Sequence, residues 1–247
     1  MAASQRVAGE QLKHGRLRIG HPPVARMGDS AGMGRIRIGC DFTYVAAVDT
    51  PVIFQVQPSP AGAVSIEDER WSSAPAIAIR GYTDLYGNPC TRAVLPAGRS
   101  SFSYDAVAVY PDATEDVDEA ATECAPDALP DATLLFILPS RYCLPDVLGD
   151  EAWSRFGGLA PGYRRVQAIC QHVHDHLTLE YGSTTAWTTA ADVNMSRLGV
   201  CRDFTHLAIS FCRALNIPAR YVFGYLPDLD VAPDPARWTA PHGWRCG

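Results

Sequence analysis

The spacing of apolar residues changes once along this chain, and that change limits the folds open to it. In the first half the apolar positions alternate. Within RIRIGCDFTY, Ile36, Ile38, Cys40, Phe42 and Tyr44 fall at every second position, the mark of a strand with one face buried. TPVIFQVQP repeats the pattern with Val52, Phe54 and Val56. AIAIRGYTD, RAVL and FSYDAVAVY offer further short strands, separated by the turn signals YGNP and PAG. No helix-period segment interrupts them, so residues 34–111 are expected to form an antiparallel β-domain.

After LLFILPSRYCLPD the period becomes helical. In GYRRVQAICQHVHDHL, Val166, Ile169, Cys170, Val173 and Leu177 share one helical face. Thr188 or Thr189 can cap a short helix opening at AADV. A third helix starts near Cys201, with Phe204, Leu207, Ala208, Phe211 and Leu215 as its apolar stripe. Asn216 is placed to cap its end and Pro218 to stop it. In ARYVFGYL, Tyr221, Phe223 and Tyr225 alternate as in a strand and are expected to pack in a sheet. Residues 132–247 therefore read as an α+β domain. Residues 1–33, which lack sustained periodicity, are expected to be an unstructured extension. Residues 112–131 belong to a run with eight carboxylates and no basic residue, expected to be a solvated acidic linker. The ligand spacing and central glycine of a calcium loop are missing there.

A net charge of −6 with no basic tract argues against a nucleic-acid partner. No apolar run approaches the roughly 20 residues that span a bilayer, and MAASQRVAGEQLKHGRLRIGHPP has no apolar signal core. A cytoplasmic protein without a membrane partner is expected. The eight cysteines are scattered without a C-x-x-C pair, as reduced thiols are, and no zinc motif is visible. His172 and His176 form an i, i+4 pair, but they lie off the core stripe and no H-E-x-x-H accompanies them. They are expected to have a structural or solvated role rather than to be metal ligands. No metal and no cofactor is therefore expected.

The third helix carries the chemistry. Cys201 falls in its first turn, directly after Gly199-Val200. Free N–H groups and a partial positive charge at a helix N-terminus favour thiolate over thiol, and the same N–H groups can receive an oxyanion. Cys212, in mid-helix, has neither advantage and reads as a buried apolar side chain. His206 is about 140° around the axis from Cys201, and Asp203 also points elsewhere, so any base for the thiol must come from another element. On these residues alone, Cys201 is either a nucleophile or a small buried side chain. Arg202 either favours its thiolate or is a surface charge. Tyr181 and Trp187 are expected to pack, with a place in a substrate groove as the alternative.

The segment GVCRDFTHLAISFCRALNIPARYVFGYL, with its Cys-x-Asp-x-x-His pattern, resembles the nucleophile segment of the transglutaminase-like superfamily in its bacterial branch. LPSRYCLPD, TTAADV and the β-rich residues 34–111 resemble that branch too. The resemblance implies a papain-like core, Cys201 as nucleophile, and acyl transfer or peptide cleavage through a thioester on a protein or peptide substrate. It gives Asp203 and His206 structural roles. In the family a His follows some forty residues after the Cys, in a D-F-H-A-W strand, and an Asp comes later in a strand ending F-D. Here His242-Gly243-Trp244 partly imitates H-A-W, while the acidic–aromatic pair before it and the later Asp are lacking. His242 is thus the candidate base in an incomplete triad, and impaired activity is expected, with a catalytically silent binding or scaffolding module as the alternative. Read one base earlier from the Arg237 codon, the tail permits a strand close to the family's M-D-x-x-A-W-x-E-V-W. A truncation or frame slip near Ala236 is therefore expected, although the shifted frame cannot encode the family's His.

Overall fold

A computed structural model describes residues 15–20, 33–59, 64–111 and 117–225. The described residues form two compact units. One runs up to Pro111 and includes Gly224 and Tyr225; the other runs from Val117 to Phe223.

The first unit is built from seven strands: β1 (Gly15–Gly20), β2 (Met33–Ala46), β3 (Thr50–Phe54), β4 (Ser65–Ala74), β5 (Arg80–Thr83), β6 (Pro89–Leu95) and β7 (Gly98–Pro111). They form two antiparallel sheets, ordered β1-β2-β7-β4 and β3-β6-β5. The alternation read in β2 is the one observed: Ile36, Ile38 and Cys40 are buried against Tyr104, Ala106 and Ala108 of β7. Phe54 of the second sheet meets Phe42 and Phe102 of the first, with ring centroids 5.5 and 4.9 Å apart. The two sheets thus pack face to face through aromatic rings.

The extension expected over residues 1–33 needs correction. Gly15–Gly20 is a strand paired with β2 from Gly15↔Phe42 to Gly20↔Arg37, and Met33 opens β2. The sequence GRLRIG alternates for only a few positions. What makes it a strand is the long free edge of β2 that it covers.

The second unit contains α1 (Pro145–Phe156), α2 (Tyr163–His176), α3 (Ala190–Ser196) and α4 (Cys201–Ala214). The short strands β8 (Thr178–Leu179) and β9 (Leu198–Gly199) pair in parallel, because the chain returns through a crossover that includes α3. Both units together make an α+β protein. α4 is the central helix. Leu207 and Phe211 are wholly buried among residues of α1, α2 and α3, and Cys212 and Leu215 are buried beside them. Each such large apolar side chain contributes about 2 kcal/mol. α1 was not foreseen as a separate helix; Pro145 opens it, and Leu148, Ala152 and Phe156 form its buried stripe.

The caps follow the sequence. Thr189 accepts the Asp192 N–H while the Asp192 carboxylate accepts the Thr189 N–H, a complete capping box. After α4, Asn216 takes φ +60°. Its N–H donates to Arg213 O (3.0 Å) and that of Ile217 to Cys212 O (2.9 Å), a Schellman ending.

Three expectations differ. Cys170 is exposed rather than on the α2 core face; Arg165, one turn before Ile169 on the same stripe, is buried instead. Arg165 is neutralised by Glu123, at 3.0 Å, and Arg164 pairs with Glu119. Glu123 is thus drawn against α2, while Glu119 stays solvent-exposed. At the start of α2, Gly162 has φ +133°, and a Cβ there would overlap Ala121 O, which accepts the Tyr163 N–H at 2.9 Å. Finally, residues 217–225, read as containing a strand, carry no regular structure. Tyr225, in the first unit, donates its hydroxyl to Val56 O at 2.9 Å. Among the described residues no helix is long and apolar enough to cross a membrane.

Candidate active site

Strand β9 leads directly into α4, and the turn between them is fixed by side chains rather than by a conventional cap. The N-cap is Val200, whose hydrocarbon side chain can accept nothing. Two residues into the helix, Asp203 supplies the reverse half of a capping box by accepting the Val200 N–H at 2.9 Å. Cys201 is the first helical residue and is half-buried, as its place in the sequence predicts. Among the described residues no acceptor is present for the N–H groups of Cys201 or Arg202.

Asp203 is 1% exposed. Its Oδ2 also accepts the Thr184 hydroxyl at 2.7 Å, and its Oδ1 lies 3.4 Å from Arg202 Nε. Arg202 Nη2 donates to Thr184 Oγ1 (3.0 Å) and to Thr185 O (3.2 Å). Asp203 therefore has the structural role expected of it, and Arg202 is tied down rather than free at the surface.

His206 does not bond to Cys201. Its ring lies parallel to that of Tyr142, with centroids 5.1 Å apart, and 5.3 Å from that of Tyr221. Its Nδ1 is buried with no partner among the described residues. Burial holds this imidazole below its ordinary pKa, with Asp203 opposing and Arg202 adding to the shift. The Tyr221 phenol is raised, by burial first and by its nearness to Cys201 second. Trp187 is 58% exposed and Tyr181 half exposed, so neither is buried in the core. Instead the Arg141 guanidinium lies over the Trp187 ring at 4.5 Å, and the Tyr142 hydroxyl donates to Ala186 O at 2.9 Å. Tyr221 and Phe223, expected in a sheet, are half exposed on the same unit.

The two cysteines of α4 differ as the sequence suggests. Cys212 is sealed in the core, and burial pushes its thiol up to about 12. Of the two roles expected for the His172–His176 pair, the structural one is found. The two rings stack at 5.2 Å, and His172 also packs on Phe156 and Phe211. The helical stripe is simply wider than the positions first read from it. Among the described residues no group of three or more His, Cys, Asp or Glu is arranged to hold a metal ion. His242 lies outside the described residues.

A thiol at the first turn of a central helix, in an α+β protein, is the arrangement of the papain-like cysteine folds. Residues 153–245 match the family described as transglutaminase-like superfamily, in its core region. A candidate cysteine protease of Cytophaga hutchinsonii has a crystal structure similar to this chain, with a TM-score of 0.66 and 31% sequence identity. The similarity covers 76% of this chain and 66% of that one. The chain belongs to the transglutaminase-like superfamily. An uncharacterised protein of Mycobacterium tuberculosis is 33% identical over 104 residues, covering 41% of this chain. One from Mycobacterium leprae is 32% identical over 82 residues, covering 33% of this chain. The chain spans about a third of the length of these curated relatives, 33% and 29% respectively.

Proposed function

We propose that Cys201 is the nucleophile of a cysteine acyl-transfer enzyme or peptidase acting on amide bonds of a protein or peptide. The thiol sulfur attacks the amide carbonyl, the C–N bond breaks, and the thiol proton leaves with the released amine or ammonia. Water or a second amine then cleaves the thioester and returns the thiol. The observation that carries the reading is local. Cys201 is half-exposed at the first helical position, beside N–H groups with no acceptor among the described residues, where an oxyanion would be stabilised. His242 is the candidate base, its role an expectation from sequence.

One observation favours a second reading, a catalytically silent binding module: the acidic–aromatic pair before His242 and a later Asp are lacking in the sequence. A peptide vinyl sulfone, with its adducts mapped by mass spectrometry, separates the two. Cys124 and Cys170 are more exposed than Cys201, and Cys212 is buried, so accessibility alone favours the first two. Preferential modification of Cys201, slowed by His242→Ala, supports the enzyme. Modification that follows exposure, with Cys201 behind Cys124 and Cys170, refutes it.

A further inference from the structure

The segment between β8 and α3, residues 180–189, has no helix or strand to hold it, yet its middle is fixed to the start of α4. Thr184 is the common point. Its hydroxyl donates to Asp203 Oδ2 at 2.7 Å and accepts from Arg202 Nη2 at 3.0 Å, while the same guanidinium reaches Thr185 O at 3.2 Å. The anchor is rigid because Asp203 is itself locked: it is 1% exposed, holds the Val200 N–H, and has Gly199 packed so close that a Cβ there would lie 3.1 Å from its own Cβ. Buried, charge-assisted hydrogen bonds of this kind are about twice as strong as neutral ones. Beyond Thr185 the segment presents Trp187, 58% exposed under the Arg141 guanidinium. A large aromatic ring held out of the core on an otherwise irregular segment, tied to the residues that flank Cys201, has the placing of a cleft wall rather than of packing.

We propose that Thr184 is a positioning residue for the chemistry at Cys201: through Asp203 and Arg202 it holds residues 184–187 as a wall against which a peptide-sized substrate lies. The inference rests on Cys201 being the nucleophile. Thr184 touches no reacting atom. It sets where the substrate backbone meets the thiol, and displacing such a wall by about 1 Å costs up to roughly 100-fold in rate. A reagent too small to touch the wall is indifferent to it.

The test compares two reagents on the full chain, iodoacetamide and a peptide vinyl sulfone, reading the second-order rate of Cys201 modification by mass spectrometry. Thr184→Val keeps the shape and removes both hydrogen bonds. It is expected to slow the peptide reagent by about tenfold or more and iodoacetamide by less than about twofold. Thr184→Ser restores the hydroxyl and is expected to bring the peptide rate back to within about threefold of the parent. Arg202→Met, at a half-exposed side chain, is the second variant should Thr184→Val not fold; it moves the peptide rate in the same direction. Equal slowing of both reagents, an unchanged peptide rate in Thr184→Val or Arg202→Met, or failure of Thr184→Ser to rescue overturns the assignment. A parent chain whose Cys201 ignores the peptide reagent overturns the proposed function itself, and this inference with it. A reactive parent with indifferent variants sinks only the role of Thr184.

Discussion

Removing Glu123 should destabilise the helical unit far more than its place in an acidic run suggests. The Arg165 side chain is 7% exposed and that of Glu123 16%. Arg165 Nη1 donates to Glu123 Oε2 at 3.0 Å and Nη2 to Leu159 O at 2.6 Å. Arg165 Nε and Glu123 Oε1 are buried without partners, so the pair is held by one direct hydrogen bond rather than a two-bond fork. Taking away one member of a buried pair typically costs 3–5 kcal/mol, because the other charge is left in a poorly polarisable setting. The single-bond geometry puts Glu123→Ala at the low end, about 3 kcal/mol. Arg165→Met, which fills the space but frees the carboxylate, should cost a similar amount. The double variant has no charge left to strand and should cost well below the sum, giving a coupling energy of about 2 kcal/mol. Urea unfolding followed at 222 nm, where the helices dominate the signal, measures all three differences. Single-variant losses of no more than about 0.5 kcal/mol that simply add would be the behaviour of a solvated surface, and would refute the buried pairing.

Two further outcomes are expected. Asn216 sits at φ +60° just past α4, so Asn216→Gly should leave the melting temperature unchanged or raise it. Asn216→Val should lower stability by about 1–2 kcal/mol, because a branched Cβ opposes that backbone; equal effects of the two would argue against the left-handed turn. His172 is held below its ordinary value of 6.5, by burial first and then by Arg155 and His176, with Glu151 and Asp175 opposing. Its neutral form is therefore favoured in the fold. As the pH drops below about 6.5 the unfolded chain takes up the proton first, so stability falls with acidification until His172 itself protonates in the fold. The urea midpoint should be lower at pH 5.5 than at 7.5, and His172→Phe, which sits well between Phe156 and Phe211, should shrink that difference. An undiminished difference would assign it to other groups.

What could be read from the sequence was local. Ile169 and Val173 on α2 with Leu177 just past its end, and Leu207 and Phe211 on α4 with Leu215 just past its end, stand in the core because helical spacing alone puts them on one face. Thr189 and Asn216 mark helix ends by chemistry confined to a few residues. The position of Cys201 at a helix start is legible for the same reason. What was missed depends on partners far along the chain. β1 exists because β2 offers an edge, Glu123 is buried because Arg165 is 42 positions away, and His206 is occupied by Tyr142, 64 positions before it. Thr184 gave no sequence signal at all, since a threonine in an irregular segment is unremarked until Asp203 and Arg202 are seen beside it. His172 shows the limit of a stripe: its ring is wide enough to reach the core from a position just off the face.

Gly162 carries a consequence for any saturation scan of this chain. With φ at +133° and Ala121 O where a side chain would begin, every replacement there must both strain the backbone and lift residues 121–123 away from α2. With Cys201 as the proposed nucleophile, an activity readout will make the position look as intolerant as Cys201. Measured by abundance of folded protein, the two will separate: replacement of Gly162 lowers the amount of folded molecule, whereas replacement of the half-exposed Cys201 leaves it standing.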